Sequence, residues 1–206
     1  LVTFAIETYA DDPCTEFMPK LLKNATMDEK TRQLTAKMHK AISVIQFKLE
    51  ASIIRRHPEW QMDDRCMLEH IDYTNKTCTI DGITYPMRSC SFPTVNVNNP
   101  SELTKEECNL VERLHHSFRI SEKLRKHIRT ILSHGCMYNI CNKNLLFHAS
   151  IPLNSDGTLK DVEIFGENHS GKELMEYIGQ LVRAAFQNDT PADLKQYAKD
   201  YFLYLW

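Results

Sequence analysis

Residues Asn144 to Pro152 read Asn-Leu-Leu-Phe-His-Ala-Ser-Ile-Pro, and this stretch bears most directly on the fold of the chain. Three bulky apolar residues run directly into His148, and Pro152 ends the segment. A short apolar run between turn-forming residues is typical of a buried strand, which we place at 145–151. An imidazole in such a strand needs partners for its ring nitrogens. His148 is therefore a candidate metal ligand or catalytic group, and the alternative is a hydrogen-bonded histidine of the core.

Length and composition favour a globular protein that dissolves in water. The chain has 206 residues, of which 42% are hydrophobic and 25% charged, and this suits one ordinary domain or a part of a larger protein. The net charge of −2 provides no electrostatic reason to expect a nucleic acid or an anionic membrane as partner. No apolar run approaches the roughly 20 residues that a membrane-spanning helix needs, and no signal peptide is recognisable. The sequence carries no signal for the number of subunits.

The seven cysteines do not form a recognisable metal or disulfide pattern. Their number is odd, they are scattered, and no Cys-x-x-Cys occurs. A zinc site on Cys136 and Cys141 would lack further ligands at standard spacing. We therefore predict reduced thiols in a cytoplasmic protein, most of them packing as small apolar groups.

Periodic apolar residues predict two helices in the first quarter of the chain. A short helix is expected near Val2 to Tyr9. A long helix is expected to begin at Met27 to Glu29, because apolar residues then recur with a period of 3.6. It should end before Pro58, since the residue before a proline is pushed out of the helical region.

Capping signals predict the boundaries of the later helices. Thr104 to Glu107 is a capping box, and a helical stretch follows that Ser121 divides in two and Gly135 ends. Ser170 to Glu173 is a second capping box. Thr190 and Pro191 begin the last helix, with the proline at its first position.

A hairpin and three further strands complete the predicted fold. Asp81 and Gly82 lie between β-branched segments, which predicts a hairpin near 77–85. The other strands are expected at 137–141, 145–151 and 162–165. The predicted class is α+β, with residues 1–135 mainly helical and residues 136–206 contributing core strands and two C-terminal helices.

Two basic clusters are candidates for binding phosphate. The first contains Lys48, Arg55, Arg56 and His57 near the end of the long helix. Guanidinium forks match phosphate oxygens, but cations also favour the C-terminal end of any helix. Both interpretations stay open, and Arg55 and Arg56 remain hypothetical phosphate ligands.

The second cluster is more typical of a solvated helix face. It comprises Lys123, Arg125, Lys126, His127 and Arg129.

Other histidines are poorer ligand candidates. His115 and His116 are adjacent, so on a helix they point about 100° apart and cannot chelate one metal. His169 is expected in a surface loop.

Several collinear segments resemble the class 3 fructose-1,6-bisphosphatases of Firmicutes and related bacteria. The matching segments are residues 41–50, 53–58, 81–86, 121–124, 135–138, 144–148, 151–157, 170–174 and 204–206. They extend over nearly the whole chain, and several are long enough that chance explains them poorly.

The resemblance implies a calcineurin-like metallophosphatase core, an αββα sandwich to which the strands of this chain belong. Such an enzyme hydrolyses fructose 1,6-bisphosphate to fructose 6-phosphate and phosphate in gluconeogenesis, in the cytoplasm, with Mn²⁺ as the usual metal. Two metal ions would share a bridging hydroxide that attacks phosphorus. His148, followed by Ala149, matches the family's histidine ligand at the end of a core strand.

The departures from the family pattern are equally informative. The motifs Asp-x-His, Gly-Asp-x-x-Asp-Arg, Gly-Asn-His-Asp and Gly-His-x-Pro are absent from the 206 residues. The resemblance therefore implies an internal segment of the enzyme that is inactive by itself. The alternatives are a non-catalytic helical interaction or regulatory module, and a metallophosphatase with another substrate.

Overall fold

The computed structural model describes residues 1–21, 26–148 and 150–206. It confirms an α+β protein in which helices predominate and all strand pairs are antiparallel. Two compact units are present, Leu1–Arg119 and Ile120–Trp206.

The described residues of the first unit form three α-helices and a three-stranded sheet. The α-helices are α1 (Val2–Thr8), α2 (Glu29–Ile54) and α3 (Lys105–Ile120), and the strands are β1 (Ile71–Asp72), β2 (Thr77–Ile80) and β3 (Ile83–Pro86). Short 3₁₀ helices occur at Thr15–Phe17, Pro58–Trp60, Asp63–Arg65 and Met67–His70. The predicted hairpin is confirmed: Ile80 pairs with Ile83, and both Asp81 and Gly82 have the positive φ that the tight turn requires.

In the second unit, the residues that the structure describes form three helices and two separate two-stranded sheets. The helices are α4 (Glu122–His134), α5 (Gly171–Ala184) and α6 (Ala192–Leu205), and the strands are β4 (Tyr138–Cys141), β5 (Asn144–Phe147), β6 (Val162–Ile164) and β7 (Glu167–His169). β4 pairs with β5 and β6 pairs with β7.

Local signals set the ends of the long helix as predicted. Asp28 is the N-cap of α2, and its carboxylate accepts hydrogen bonds from the backbone amide and the hydroxyl of Thr31 at 2.9 and 2.6 Å. The helix ends at Ile54, shortly before Pro58. Its apolar face packs against α1, where Ala5 and Ile45 are buried in one cluster.

A buried ion pair joins α2 to α3. Lys48 Nζ lies 2.7 Å from Glu107 Oε2, and both side chains are almost completely buried. Lys48 also donates to the backbone carbonyl of Thr94 at 2.7 Å. Glu107 Oε2 accepts the Thr104 amide at 2.8 Å, and Thr104 Oγ1 accepts the Glu107 amide at 3.2 Å, so the predicted capping box is confirmed. One carboxylate thus closes the helix cap and neutralises a buried lysine.

A second buried ion pair ties the segment after α1 to α2. Lys40 Nζ lies 2.7 Å from Asp12 Oδ2, while Asp12 Oδ1 accepts the Cys14 amide at 2.8 Å. The ring centroids of Tyr9, Phe17 and Phe92 lie 5.9, 5.9 and 5.2 Å from the ammonium group, within cation–π range. Burial opposes ionisation of Asp12, but the hydrogen bond from Lys40 and that from the Cys14 amide outweigh it, and the pKa of Asp12 falls below its usual range.

The predicted buried strand at 145–151 is wrong in length and in burial. β5 ends at Phe147, and Leu145, Leu146 and Phe147 are 47%, 52% and 41% exposed. Apolar composition indicates that a segment suits an interior, but burial requires elements on both faces. Within the described residues β5 pairs only with β4. The strand predicted at 137–141 is observed one residue shorter, as β4.

The strand predicted at 162–165 ends at Ile164, and its partner was missed. It pairs with β7, a segment predicted to be loop. Phe165 and Gly166 form the turn between them with φ of 51° and 81°. An aromatic residue is unusual at the first of two positive-φ positions, so the sequence did not signal this hairpin.

One predicted capping box is wrong, and one predicted C-cap is confirmed with a different geometry. The Ser170 side chain makes no capping hydrogen bond to α5, and the Glu173 carboxylate lies 3.3 Å from the His169 ring instead of returning to the cap. Gly135 is the C-cap of α4, as predicted, but it has an extended φ of −73° rather than a left-handed one, and its amide donates to the Ile131 carbonyl at 2.7 Å. α6 begins at Ala192, with Pro191 at the N-cap position.

The cysteines are all free thiols, but most are not packed in the core. Only Cys14 and Cys66 are buried, whereas Cys108, Cys136 and Cys141 are exposed. Burial raises the pKa of the Cys14 thiol to about 11.

Replacing Glu107 by alanine should strongly destabilise the chain. The substitution leaves Lys48 buried without its counter-charge and removes the cap of α3, so we expect a loss of about 3–5 kcal/mol in the free energy of unfolding. Urea denaturation measures it. Glu29→Ala is the matched control, because Glu29 pairs with Arg32 on an exposed surface and should cost at most about 1 kcal/mol. Equal losses of unfolding free energy in the two variants would contradict the conclusion that Glu107 stabilises the chain through its buried contacts.

Asp12→Asn should alter the dependence of stability on pH. Because the folded state lowers the pKa of Asp12, its stabilisation is complete above its ordinary pKa of 3.8 and is lost as the pH falls through the lower folded value. The variant should be less stable than the parent chain at about pH 7, and the difference should shrink towards about pH 2. Urea midpoints at both pH values measure this. If the difference in stability between the parent chain and the variant grew on acidification, the predicted direction of the pH dependence would be wrong.

Candidate functional site

His148 lies directly after β5, in a bend, and its side chain is exposed. It borders a cavity of about 470 Å³ in the second unit, together with Met137, Ser150, Met175 and Tyr204. Neither ring nitrogen of His148 has a hydrogen-bond partner within the part of the chain that the structure describes. The imidazole is thus accessible, and it is not the satisfied core histidine of the alternative interpretation.

Aromatic residues of α6 form one side of this cavity. Tyr201 stacks on Tyr204 with ring centroids 5.1 Å apart, and Tyr197 stacks on Tyr201 at 5.8 Å. The ring of Phe165 contacts the ring of Tyr197 edge to face, with centroids 5.1 Å apart, so the turn between β6 and β7 packs against α6. Burial raises the pKa of the Tyr201 hydroxyl, so that residue remains protonated.

The site does not contain a complete metal centre. The residues that line the cavity include one imidazole and no carboxylate. Across residues 1–21, 26–148 and 150–206, no group of three or more His, Cys, Asp or Glu side chains is placed to hold a metal ion. The described residues therefore do not fit a dinuclear manganese site by themselves, and His148 is a single candidate ligand.

His169 is buried, contrary to the prediction of a surface loop residue. It ends β7 with 7% exposure and stacks on Tyr177 at a centroid distance of 3.9 Å. Its Nδ1 lies 3.3 Å from Glu173 and its Nε2 lies 3.6 Å from Glu167. The contacts with Tyr177 and Glu173 attach the β6–β7 hairpin to α5, which is a structural role. The missed turn at Phe165 is the reason the sequence did not reveal it.

The first basic cluster is engaged in internal contacts. Lys48 is buried against Glu107, and Arg55 is paired with Glu69. Arg56 donates to the Ser52 carbonyl at 3.0 Å. His57 stacks on Trp60 at 4.1 Å. These contacts favour the interpretation of an ordinary helix end over a phosphate site. His115 and His116 are exposed on α3.

Arg183 anchors α4 beside the cavity. Its guanidinium donates to the backbone carbonyls of Leu132 at 3.2 Å, Gly135 at 2.8 Å and Gly179 at 2.8 Å. Carbonyls at the C-terminal end of a helix lack partners within that helix. One arginine of α5 therefore satisfies the end of α4 and fixes the segment that leads into β4.

Comparison with known proteins matches the entire chain to one family. The model of the Firmicute fructose-1,6-bisphosphatase family matches residues 1–206. The chain belongs to this family. Class 3 fructose-1,6-bisphosphatases are similar to it throughout: that of Phocaeicola vulgatus is 54% identical over 208 residues, that of Parabacteroides distasonis 49% over 207 and that of Clostridium tetani 44% over 206. Each alignment covers 100% of this chain.

This fructose-1,6-bisphosphatase family member spans only part of its relatives. The alignments cover 31% of the length of each of these three proteins. No solved structure matches the chain. Among the described residues, no helix has both the length and the apolar composition that crossing a membrane requires.

Proposed function

We propose that this chain is part of a longer, cytoplasmic, metal-dependent phosphatase that hydrolyses fructose 1,6-bisphosphate to fructose 6-phosphate and phosphate in gluconeogenesis. The observation that carries the proposal is the family match over all 206 residues, combined with coverage of about a third of each relative. A sugar bisphosphate is the proposed substrate, and neither a nucleic acid nor a membrane is a proposed partner.

His148 is the residue that we propose as a ligand of Mn²⁺. Two observations support it. The imidazole is exposed at the end of β5, and no internal hydrogen bond within the described residues engages its nitrogens. A metal ligand must be a neutral imidazole with a free nitrogen. The other ligands are proposed to lie in the remaining length of the enzyme, because the described residues do not provide them.

The β4–β5 hairpin supports the proposal of a larger sheet. Its register places Tyr138, Ile140, Leu145 and Phe147 on one face, which is largely apolar. Ile140 is 64% exposed. A two-stranded ribbon with an uncovered apolar face is marginally stable alone. We therefore propose that β4 and β5 belong to an αββα metallophosphatase sandwich, in which residues 136–206 contribute to the core and residues 1–135 form a mainly helical cap.

The 206-residue chain alone should be inactive. It contributes one candidate metal ligand, and a two-metal site needs several. Purified chain, incubated with fructose 1,6-bisphosphate and Mn²⁺, should release no phosphate above the protein-free background. Manganese-dependent release that tracks the purified chain would disprove the proposed division of the site.

His148→Ala in the longer protein should reduce both manganese content and turnover. Removing one ligand of a metal centre weakens metal binding, so we expect loss of bound Mn²⁺ and at least about a hundredfold lower kcat. Metal analysis and phosphate release measure the two quantities. His115→Ala is the matched control, because His115 is exposed on α3 and is not one of the residues that line the cavity. Full metal content in His148→Ala would rule out the ligand assignment.

A further inference from the structure

We propose that the cationic face of α4 is a binding surface for phosphate esters that recruits the anionic substrate of the His148 site. The ligand's identity rests on the proposed function, whereas the surface itself is inferred from charge and geometry. We define this face by four exposed side chains, Lys123, Arg125, Lys126 and Arg129.

The net charge of α4 is positive, whereas the net charge of the remaining residues is negative. α4 carries four Lys and Arg side chains and one acid, Glu122, for a net charge of +3. The remaining 193 residues carry 21 basic and 26 acidic side chains, for a net charge of −5. A tetra-anionic sugar bisphosphate is repelled by that remainder and attracted to α4.

No contact inside the protein explains the cationic face. Within the described residues, none of the four side chains makes a hydrogen bond or an ion pair. Arg125 and Arg129 are four residues apart, and Lys126 and Arg129 are three apart, so like charges are neighbours on the helix. Such pairs destabilise a helix by about 0.2–0.5 kcal/mol each. Lys123 lies in the first turn, where the helix dipole also disfavours a cation. Glu122 lies three residues before Arg125 and four before Lys126, so it offsets part of this repulsion, whereas Lys123 and Arg129 have no acidic neighbour at such spacing. Helix stability therefore accounts for only part of the cationic face.

The opposite face of α4 holds the helix in place. Leu124, Ile128 and Leu132 are half-buried, and Arg183 binds the carbonyls of Leu132 and Gly135 at the end of the helix. The cations thus project from an anchored helix, and ordering the ligand does not require ordering the helix first.

The spacing of the two arginines suits a phosphate group. Side chains at positions i and i+4 have Cβ atoms about 5–6 Å apart, so two guanidinium forks can converge on the oxygens of one phosphoryl group. Lys126 adds a point charge for a second phosphate.

α4 lies in the same unit as the candidate site. Ile131 and Leu132, which are outside the cationic face of α4, line a cavity of about 120 Å³ that shares Cys136 and Met137 with the cavity beside His148. A phosphorylated ligand attracted to α4 is therefore concentrated in the unit that holds His148, which raises its encounter rate at low ionic strength.

The test measures binding to the chain, independently of turnover. Isotope-labelled chain is titrated with fructose 1,6-bisphosphate, inorganic pyrophosphate and uncharged fructose at low ionic strength, and amide shifts are followed by NMR. Both anions should shift α4 amides, fructose should not, and Arg125→Gln/Arg129→Gln should weaken anion binding at least about tenfold. Similar affinities for the two anions would show that α4 recognises only the phosphate groups, whereas tighter binding of the sugar bisphosphate would show that the sugar contributes to binding.

The matched control removes the same charge elsewhere in the second unit. Lys160→Gln/Lys199→Gln changes two exposed lysines outside α4 and should leave anion binding within about twofold of the parent chain. Equal weakening in both double variants, or shifts that avoid α4, would overturn the proposal.

Turnover of the longer protein separates this proposal from the proposed function. If the longer protein hydrolyses fructose 1,6-bisphosphate but no anion binds at α4, the binding surface is ruled out and the proposed phosphatase function is retained. If pyrophosphate binds at α4 but fructose 1,6-bisphosphate is not hydrolysed, the binding surface is retained and its assigned substrate is ruled out.

Discussion

The ion pair between Lys48 and Glu107 is the contact on which the first unit depends. Glu107 both closes the cap of α3 and neutralises a lysine of α2 that is 59 residues away in sequence. Lys48 also binds the Thr94 carbonyl, so the irregular segment between the sheet and α3 is fixed at the same point. Burying the two charges costs several kcal/mol, which is recovered only while every partner is present. The two helices and the segment are therefore stabilised together.

The second unit relies on other contacts. Arg183 donates hydrogen bonds to the backbone carbonyls at the end of α4. The stacked tyrosines Tyr201 and Tyr204 of α6 line the cavity beside His148. The β4–β5 hairpin, by contrast, leaves apolar side chains exposed. Family membership and coverage of about a third of each relative give this exposure a physical meaning under our proposal. The hairpin and His148 present surfaces that a longer protein covers and completes.

Local sequence signals succeeded where their hydrogen bonds stayed local. The start of α2 at Asp28 and Glu29, the Thr104 capping box and the Asp81–Gly82 turn involve partners within four residues, and all three positions were predicted correctly. The capping box predicted at Ser170 does not form, and Glu173 is directed at His169. The strand at 145–151 failed for a related reason: an apolar run reports composition, whereas burial depends on what packs against it.

The helix boundaries of α2 and α3, the first hairpin, the α+β class and the resemblance that the family match confirmed all follow from the amino-acid sequence alone. Each depends on contacts within a few residues or on the order of matching segments. Which charges are used internally depends instead on the three-dimensional packing. It buried Lys48 and His169 and left His148 and the cations of α4 exposed. The physical reason is that desolvation of a charge depends on partners that lie tens of residues away along the chain, as Glu107 does from Lys48.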